Sequence, residues 1–203
     1  MLFRHALRLT VAALVVAVLV PASFAGRWNK VLSVGDAAPA WGGIVGTDDE
    51  NHALADFDNA KVVVAVFTCN SCPVAIACED RMIEFQEEYK DKGVQLVAIN
   101  VNNVEGDKLG KMKERAEQKG FNFPYLYDPT QQVARDYGAQ VTPHFFVLDE
   151  DRKVVYMGLM DDSPLQPDDV QKNYLRDAVE AVLAGETPET AETKQQGCGI
   201  KYE

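Results

Sequence analysis

Two cysteines separated by two residues, Cys69 and Cys72, are the side chains whose type and spacing point most directly to chemistry. An apolar run ends just before them, which predicts a buried strand, and Pro73 just after them suits the first turn of a helix. A helix N-terminus carries unpaired N–H groups and a partial positive charge, and both stabilise a thiolate, the nucleophile of disulfide exchange. The pair therefore predicts a redox-active dithiol, in which Cys69, expected to be the more exposed, is the nucleophile and Cys72 is the resolving thiol.

A fixed disulfide and one half of a zinc site are the alternatives for this pair. Zinc requires two further ligands. Beyond residue 25 the chain has only His52 and His144 besides the other cysteines, and none of them has a paired spacing. The sequence therefore predicts redox chemistry with no metal and no organic cofactor.

The two remaining cysteines lie in contrasting surroundings. Cys78 falls on the apolar stripe of the helix predicted after the pair, where a free cysteine packs as a small hydrophobic side chain. Cys198 stands between two glycines in a polar segment, and the glycines allow its sulfur to approach a partner. Three interpretations stay open for Cys198: exchange or docking with the Cys69–Cys72 pair, a static bridge to Cys78, and a free thiol.

The elements that must position these cysteines alternate along the chain. Buried runs rich in β-branched residues predict strands, and apolar residues spaced three and four apart predict helices. The predicted strands cover residues 61–67, 94–101, 123–127, 144–148 and 153–157, and the predicted helices cover residues 73–90, 105–119, 128–137 and 168–184. This alternation indicates an α/β fold with a parallel sheet between helices, and the last two strands, joined by a polar turn, indicate a closing antiparallel hairpin.

The first 25 residues have the layout of a secretory signal peptide. Two arginines precede an apolar run at residues 9–20, and small residues place the cleavage site after Ala25. A membrane anchor is the alternative, but a run of about twelve residues is short against the ~20 that a bilayer requires. We therefore expect an exported protein, periplasmic or extracellular, without stable membrane insertion after cleavage. Its domain is expected at residues 26–185, and a loose polar tail at residues 186–203 carries Cys198.

The chain is acidic, with a formal net charge of −11 over 203 residues. An acidic surface repels nucleic acid and anionic lipid, so neither is an expected partner. Four cysteines are too few to staple a chain that is long enough to bury a core of its own. The cysteines therefore need an explanation other than a disulfide framework.

Three segments, in this order, resemble the thioredoxin-like redoxins, a group that includes alkyl hydroperoxide reductase/thiol-specific antioxidant relatives and exported thiol-disulfide reductases. The segments are VVVAVFTCNSCP at residues 62–73, YDPTQQVARDYG at residues 127–138, and VTP at residues 141–143 followed by HFFVLD. The resemblance covers residues 34–184. It implies a thioredoxin fold, in which helices flank a central mixed sheet that carries an N-terminal extension.

The resemblance also implies roles for the residues around Pro143. In the family this proline is cis and faces the cysteine pair, and its loop, with Thr142 just before it, binds the backbone of the substrate. The implied partners are a protein that carries a disulfide or dithiol and an upstream redox protein. Similar redoxin-like proteins also end in a Gly-Cys-x-Ile-Lys segment, which residues 197–201 match, and this favours Cys198 as a third redox thiol.

Two positions depart from the pattern of thioredoxins proper. Thr68 precedes the pair where thioredoxins have an aromatic residue, and Val63 stands near the place of their buried acid. Proton transfer during exchange must therefore use water or another group.

Thiol-disulfide exchange on protein partners is the function that these features favour, and two others compete with it. In a thiol peroxidase of the peroxiredoxin kind, Cys72 would be the peroxide-reducing cysteine. However, the proline expected upstream is absent, and no arginine directly precedes the HFFVLD strand. In a copper carrier, the pair and His144 would bind Cu(I), but copper-binding relatives have three residues between the cysteines rather than two.

Overall fold

The computed structural model describes residues 26–203, so the predicted signal peptide lies outside the described residues. Within that range no helix is long and apolar enough to span a membrane. The described residues form nine strands and four α-helices, which in chain order are β1 (Ile44–Gly46), β2 (Asn51–His52), β3 (Val62–Phe67), α1 (Pro73–Tyr89), β4 (Val94–Asn100), α2 (Leu109–Lys119), β5 (Tyr125–Tyr127), α3 (Gln132–Asp136), β6 (Val141–Thr142), β7 (His144–Leu148), β8 (Val154–Gly158), α4 (Tyr174–Leu183) and β9 (Cys198–Gly199).

Seven of these strands form one mixed sheet in the order β2-β1-β5-β4-β3-β7-β8. β3, β4 and β5 run parallel, β7 and β8 form an antiparallel hairpin at one edge, and β1 and β2 form another at the opposite edge. The sequence does not predict the β1–β2 hairpin, because strands of two or three residues are too short to show an alternating pattern. The predicted α/β fold with a mixed sheet, flanking helices and a closing hairpin is confirmed.

The central strand β3 is fully buried on both faces. Its even-numbered residues pack in a core with α1, α2 and α4, and its odd-numbered residues pack in a second core with α3 and both terminal segments. Because β3 is closely packed on both faces, its last residue, Phe67, is held in a well-defined position, and so is the start of the turn that follows it.

Three helices begin later than the sequence predicts. Their observed first residues are Leu109, Gln132 and Tyr174, against predicted starts at residues 105, 128 and 168. At the second of these, the Asp128 carboxylate accepts the backbone N–H groups of Thr130 and Val133, each at 3.0 Å. An acidic side chain that bonds nearby backbone in this way favours a turn over a further helical turn.

The C-terminal segment, residues 186–203, is docked on the domain, so the expectation of a loose tail is wrong. The Glu192 carboxylate accepts hydrogen bonds from the backbone N–H groups of residues 27–29 at 2.5–3.0 Å. Ile200 is buried in the second core, and the Gln131 side chain bonds the backbone at positions 201 and 203, both at 2.8 Å. Most of these contacts reach backbone groups over long sequence separations, which a polar composition does not reveal.

His144 lies on β7 with its side chain fully buried against Phe146. Gln195 of the docked segment places its amide nitrogen 3.3 Å from Nε2, whereas Nδ1 has no hydrogen-bond partner among residues 26–203. Burial lowers the pKa of His144 to about 3. The ring is therefore neutral at neutral pH.

Acidification is expected to weaken the fold through this histidine. Below the ordinary histidine pKa of about 6.5, the unfolded chain takes up a proton that the native state accepts only near pH 3, so the free energy of unfolding falls through this window. One pH unit corresponds to about 1.4 kcal/mol, so the loss from this group between pH 7 and about pH 4.5 should be roughly 2–3 kcal/mol. Urea unfolding of the wild type and His144→Phe at both pH values measures it. His52→Phe controls for loss of a partly exposed histidine, and the same pH dependence in all three proteins would contradict the prediction.

Candidate active site

The cysteine pair lies in the turn between the end of β3 and the start of α1. Cys72 is the N-cap of α1, with extended backbone (φ −93°, ψ 119°), and Pro73 occupies the first helical position. The missing N–H of a proline breaks no helical hydrogen bond there. Cys72 therefore stands at the helix end where N–H groups are unpaired and the dipole is positive.

Both cysteine side chains are buried in the reduced state. Cys69 is 3% exposed and Cys72 is 1% exposed, and both are free thiols. Cys69 is the more exposed of the two, as the sequence predicts, but the difference is too small to separate their roles. The two sulfurs are distinguished by their pKa values rather than by their exposure.

Thr142 contacts both sulfurs. Its hydroxyl oxygen lies 3.2 Å from Cys69 Sγ, and its carbonyl oxygen lies 3.1 Å from Cys72 Sγ, from which it accepts a hydrogen bond whenever Cys72 is protonated. The peptide bond between Thr142 and Pro143 is cis, and this proline joins β6 to β7. The structure thus brings the predicted substrate-binding residues to the cysteine pair.

The two sulfurs of the reduced pair differ in how readily each loses its proton. The Cys69 thiol hydrogen-bonds the Cys72 sulfur, and the Cys198 thiol and the Ala75 N–H group add to this, so the pKa of Cys72 lies well below its usual range despite its burial. The same hydrogen bond raises the pKa of Cys69, which burial and the negative charge of Asp107 raise further. Charge therefore favours Cys72 as the attacking thiolate and Cys69 as the resolving thiol, the reverse of the order expected from the sequence.

A buried carboxylate that the sequence analysis missed, Asp107, holds the turn between the cysteines. It lies in a single 3-10 turn after β4, and its side chain is fully buried. Its oxygens accept hydrogen bonds from the Ser71 backbone N–H at 3.0 Å, the Ser71 hydroxyl at 2.6 Å and the Asn102 amide at 3.1 Å. A negative charge thus reaches the cysteine pair from the loop after β4, although Val63 on β3 offers none.

The loop after β4 also holds Asn70. The Asn70 amide donates to the carbonyl oxygen of Gly106 at 3.0 Å, and the Tyr125 hydroxyl donates to Asn70 Oδ1 at 2.9 Å. Asn100, the last residue of β4, donates to the backbone carbonyl of Asp107 at 2.8 Å. Asparagine side chains at the end of an otherwise apolar strand were the sequence signal that could have pointed to this loop.

The docked C-terminal segment crosses the cysteine pair as a strand. β9 pairs antiparallel with β6, with Cys198 opposite Thr142. The Cys198 side chain packs with those of Cys69, Cys72 and Ala75. The structure therefore brings the third predicted redox thiol to the pair and lays it along the strand to which the family resemblance assigns substrate binding.

Cys78 lies apart from the other three cysteines, in the core beneath α1. Burial raises the pKa of its thiol to about 12, and it forms no bridge with Cys198. Within residues 26–203, no group of three or more His, Cys, Asp or Glu side chains is arranged to hold a metal ion.

Similar proteins carry names from two classes of thiol protein. The family model described as Redoxin matches residues 33–173. A Mycobacterium tuberculosis protein named as a peroxiredoxin is 29% identical over 136 residues, which is 61% of this chain and 83% of that protein. The thiol-disulfide oxidoreductase ResA of Bacillus thuringiensis is 28% identical over 123 residues, 55% of this chain and 67% of its own length. The crystal structure of an uncharacterized conserved protein from Geobacillus kaustophilus matches with a TM-score of 0.78 and 36% identity, over 86% of this chain and 95% of that one.

Proposed function

Because the chain belongs to the redoxin family, we propose that it is an exported thiol-disulfide oxidoreductase that works through Cys69 and Cys72. The observation that carries the proposal is the packing of the two cysteines against each other at the N-terminus of α1, with both sulfurs in contact with Thr142. One sulfur that holds a negative charge, beside a second that can displace a bound partner, is what disulfide exchange requires. The relative named as a thiol-disulfide oxidoreductase supports the same activity.

In the reducing direction, the exchange consists of two successive displacements at sulfur. The Cys72 thiolate attacks one sulfur of a partner disulfide, and the other partner sulfur leaves as a thiolate. Cys69 then loses its proton and attacks Cys72 Sγ in the mixed disulfide, which releases the second partner sulfur and leaves a Cys69–Cys72 disulfide. An upstream dithiol protein restores both thiols by the same steps, and oxidation of a dithiol partner is the reverse. We assign Thr142 and Pro143 to binding the backbone of the partner.

Reduction of peroxides is a second candidate. The charge on Cys72 beside Pro73 and the relative named as a peroxiredoxin favour it. In this reaction the Cys72 thiolate takes one oxygen of the peroxide O–O bond to form a sulfenic acid, and the other oxygen leaves as water or an alcohol. Cys69 then condenses with the sulfenic acid, which releases water and again gives the Cys69–Cys72 disulfide. The two candidates differ in the oxidant and share the product.

Export is part of the proposal and rests on residues 1–25. Two arginines, a short apolar run and a small-residue cleavage site have the order of a secretory signal. A periplasm or an extracellular space is an oxidising compartment, in which a dithiol of this kind needs a dedicated upstream partner to stay reduced. The proposed partners are therefore a disulfide- or dithiol-bearing protein substrate and a redox protein that recharges the pair.

Redox titration tests the proposed activity. The protein is equilibrated with dithiothreitol or glutathione buffers of defined potential, trapped with acid and alkylated, and the state of each cysteine is read by peptide mass mapping. We expect one reversible two-electron couple between Cys69 and Cys72 at about −120 to −270 mV. A midpoint at the low end indicates a reductase, and one at the high end indicates a disulfide donor. Consumption of hydrogen peroxide with no reactivity toward protein disulfides would favour the second candidate, and the absence of a couple would contradict both.

A further inference from the structure

The strand β6 contributes the Thr142 backbone carbonyl to the candidate site. The edge of β6 that could pair with another strand is occupied by the protein's own C-terminal segment. β6 pairs with β9 in a separate two-stranded sheet. Ile200, just beyond β9, extends the pairing by donating its N–H to the carbonyl oxygen of Gln140 at 2.9 Å. Addition of an extended segment to an edge strand is a common way to bind a peptide, because main-chain hydrogen bonds supply affinity and side-chain pockets supply specificity.

We infer that residues 197–200 form an internal substrate strand, which occupies the place of an extended partner on β6 and whose Cys198 exchanges disulfides with Cys72. The inference rests on the proposed dithiol function. It explains why a polar segment contains a buried Ile200 and why its single sulfur lies opposite Thr142. It also defines the partner as a polypeptide in extended conformation whose reacting cysteine takes the position of Cys198.

The fit of this strand depends on Gly197. A Cβ atom added to Gly197 would lie well inside van der Waals contact of the Thr142 carbonyl oxygen and carbon. A Cβ atom added to Gly199, on the other side of the cysteine, meets no atom within 4 Å. A partner that binds in the same register must therefore have glycine directly before its reacting cysteine, and the burial of Ile200 favours an apolar residue two positions after that cysteine.

The exchange step needs no oxidant beyond the Cys69–Cys72 disulfide that the proposed function produces. Once Cys69 and Cys72 are joined, the Cys198 thiol gives its proton to solvent and its sulfur attacks Cys72 Sγ. The bond between Cys72 and Cys198 forms, the bond between Cys69 and Cys72 breaks, and Cys69 leaves as a thiolate and takes up a proton. The Thr142 hydroxyl oxygen lies 3.2 Å from the Cys69 sulfur, where its proton can stabilise the leaving thiolate.

The redox state of Cys72 decides when Cys198 can react. In the reduced protein a hydrogen bond to the Cys72 sulfur raises the pKa of Cys198 to about 11, with burial and then the negative charge of Cys72 as further causes. A Cys72 sulfur bound in a disulfide is uncharged and a weak hydrogen-bond acceptor, so the first and third causes are removed when the exchange becomes possible. A new bond between Cys72 and Cys198 would fasten the strand over the site and free Cys69.

Trapping in a Cys69→Ser background tests the inference. This variant is treated with oxidised glutathione, quenched with acid, alkylated and mapped by mass spectrometry. The Cys72 thiolate first forms a mixed disulfide with glutathione, and we expect Cys198 to displace the glutathione and give an internal Cys72–Cys198 disulfide. Addition of Gly197→Ala should lower the ratio of internal disulfide to glutathione adduct by at least about tenfold, because the sulfur loses its high local concentration. Addition of Gly199→Ala is the matched control and should leave the ratio unchanged.

The outcomes separate this inference from the proposed function. Glutathione retained on Cys72 with Cys198 free, in a protein whose unaltered form shows the Cys69–Cys72 couple, overturns the internal strand and leaves the dithiol function in place. Equal ratios in the Gly197→Ala and Gly199→Ala variants overturn the strand register. The midpoint of urea unfolding is measured for each variant. A midpoint near that of the Cys69→Ser protein shows that the change in ratio comes from docking of the strand and not from loss of the fold.

Discussion

Replacement of Cys72 by serine is expected to slow exchange with a protein disulfide by at least about 1000-fold, the scale on which enzymes lose activity when a reacting group is removed. Cys72 is the sulfur whose pKa is lowered, and both Cys69 and Cys198 pack against it. Cys78→Ser is the matched control, because that thiol is buried in a separate core. Its rate should stay near that of the wild type.

A comparison of Cys69→Ser with Cys72→Ser decides which sulfur of the pair is the thiolate. The ultraviolet absorbance of a thiolate, followed against pH in the reduced protein, should show a group titrating well below the ordinary cysteine pKa of about 8.5. This absorbance should persist in Cys69→Ser, because a serine hydroxyl can still donate a hydrogen bond to Cys72. It should be lost in Cys72→Ser. The reverse result would restore the order of roles expected from the sequence.

Asp107→Ala is expected to destabilise the protein by roughly 2–3 kcal/mol, because it leaves the buried Asn102 amide and the Ser71 backbone N–H without a partner. The midpoint and slope of urea unfolding measure this loss. Glu105→Ala is the matched control: its carboxylate lies in the same 3-10 turn but is exposed, and pairs only with Lys108 among the contacts of the described chain. A loss of equal size in both variants would contradict the assigned role of Asp107.

A second readout separates the charge of Asp107 from its structural role. In a Cys72→Ser background, Cys69 is the remaining sulfur of the pair, and the negative charge of Asp107 raises its pKa. Removal of that charge should lower the pH at which the Cys69 thiolate forms. An unchanged titration would mean that Asp107 only positions the turn.

Local patterns were sufficient for the part of the fold that carries the pair. The β-branched run before Cys69 and the proline after Cys72 are signals that lie only a few residues apart in the sequence. The observed bounds of β3 and α1 lie within one residue of their predicted bounds. Membership of the redoxin family is also shown, by the match over residues 33–173. Where an element is long, periodic and bounded by proline or glycine, sequence alone was enough.

Contacts between residues that lie far apart in the chain could not be predicted from local sequence patterns. Asp107 reaches Ser71 across 36 positions, and Cys198 lies opposite Thr142 across 56 positions of the chain. Both belong to short polar stretches that show no periodicity. The pKa difference within the pair comes first from the hydrogen bond between the two sulfurs, and these two contacts add to it. The order of the cysteine roles could therefore not be derived from the spacing of the pair.

Docking of the C-terminal segment makes access to the sulfurs a conformational equilibrium between closed and open states. Parts of a protein held by few contacts open at free energies below that of global unfolding. A partner that binds only the open state has an apparent dissociation constant equal to its intrinsic one divided by the open fraction. Glu192, Gln131 and Ile200 hold the segment closed without being hydrogen-bonded to the sulfurs. Substitutions at these positions would tune affinity for partners while leaving the thiol chemistry unchanged.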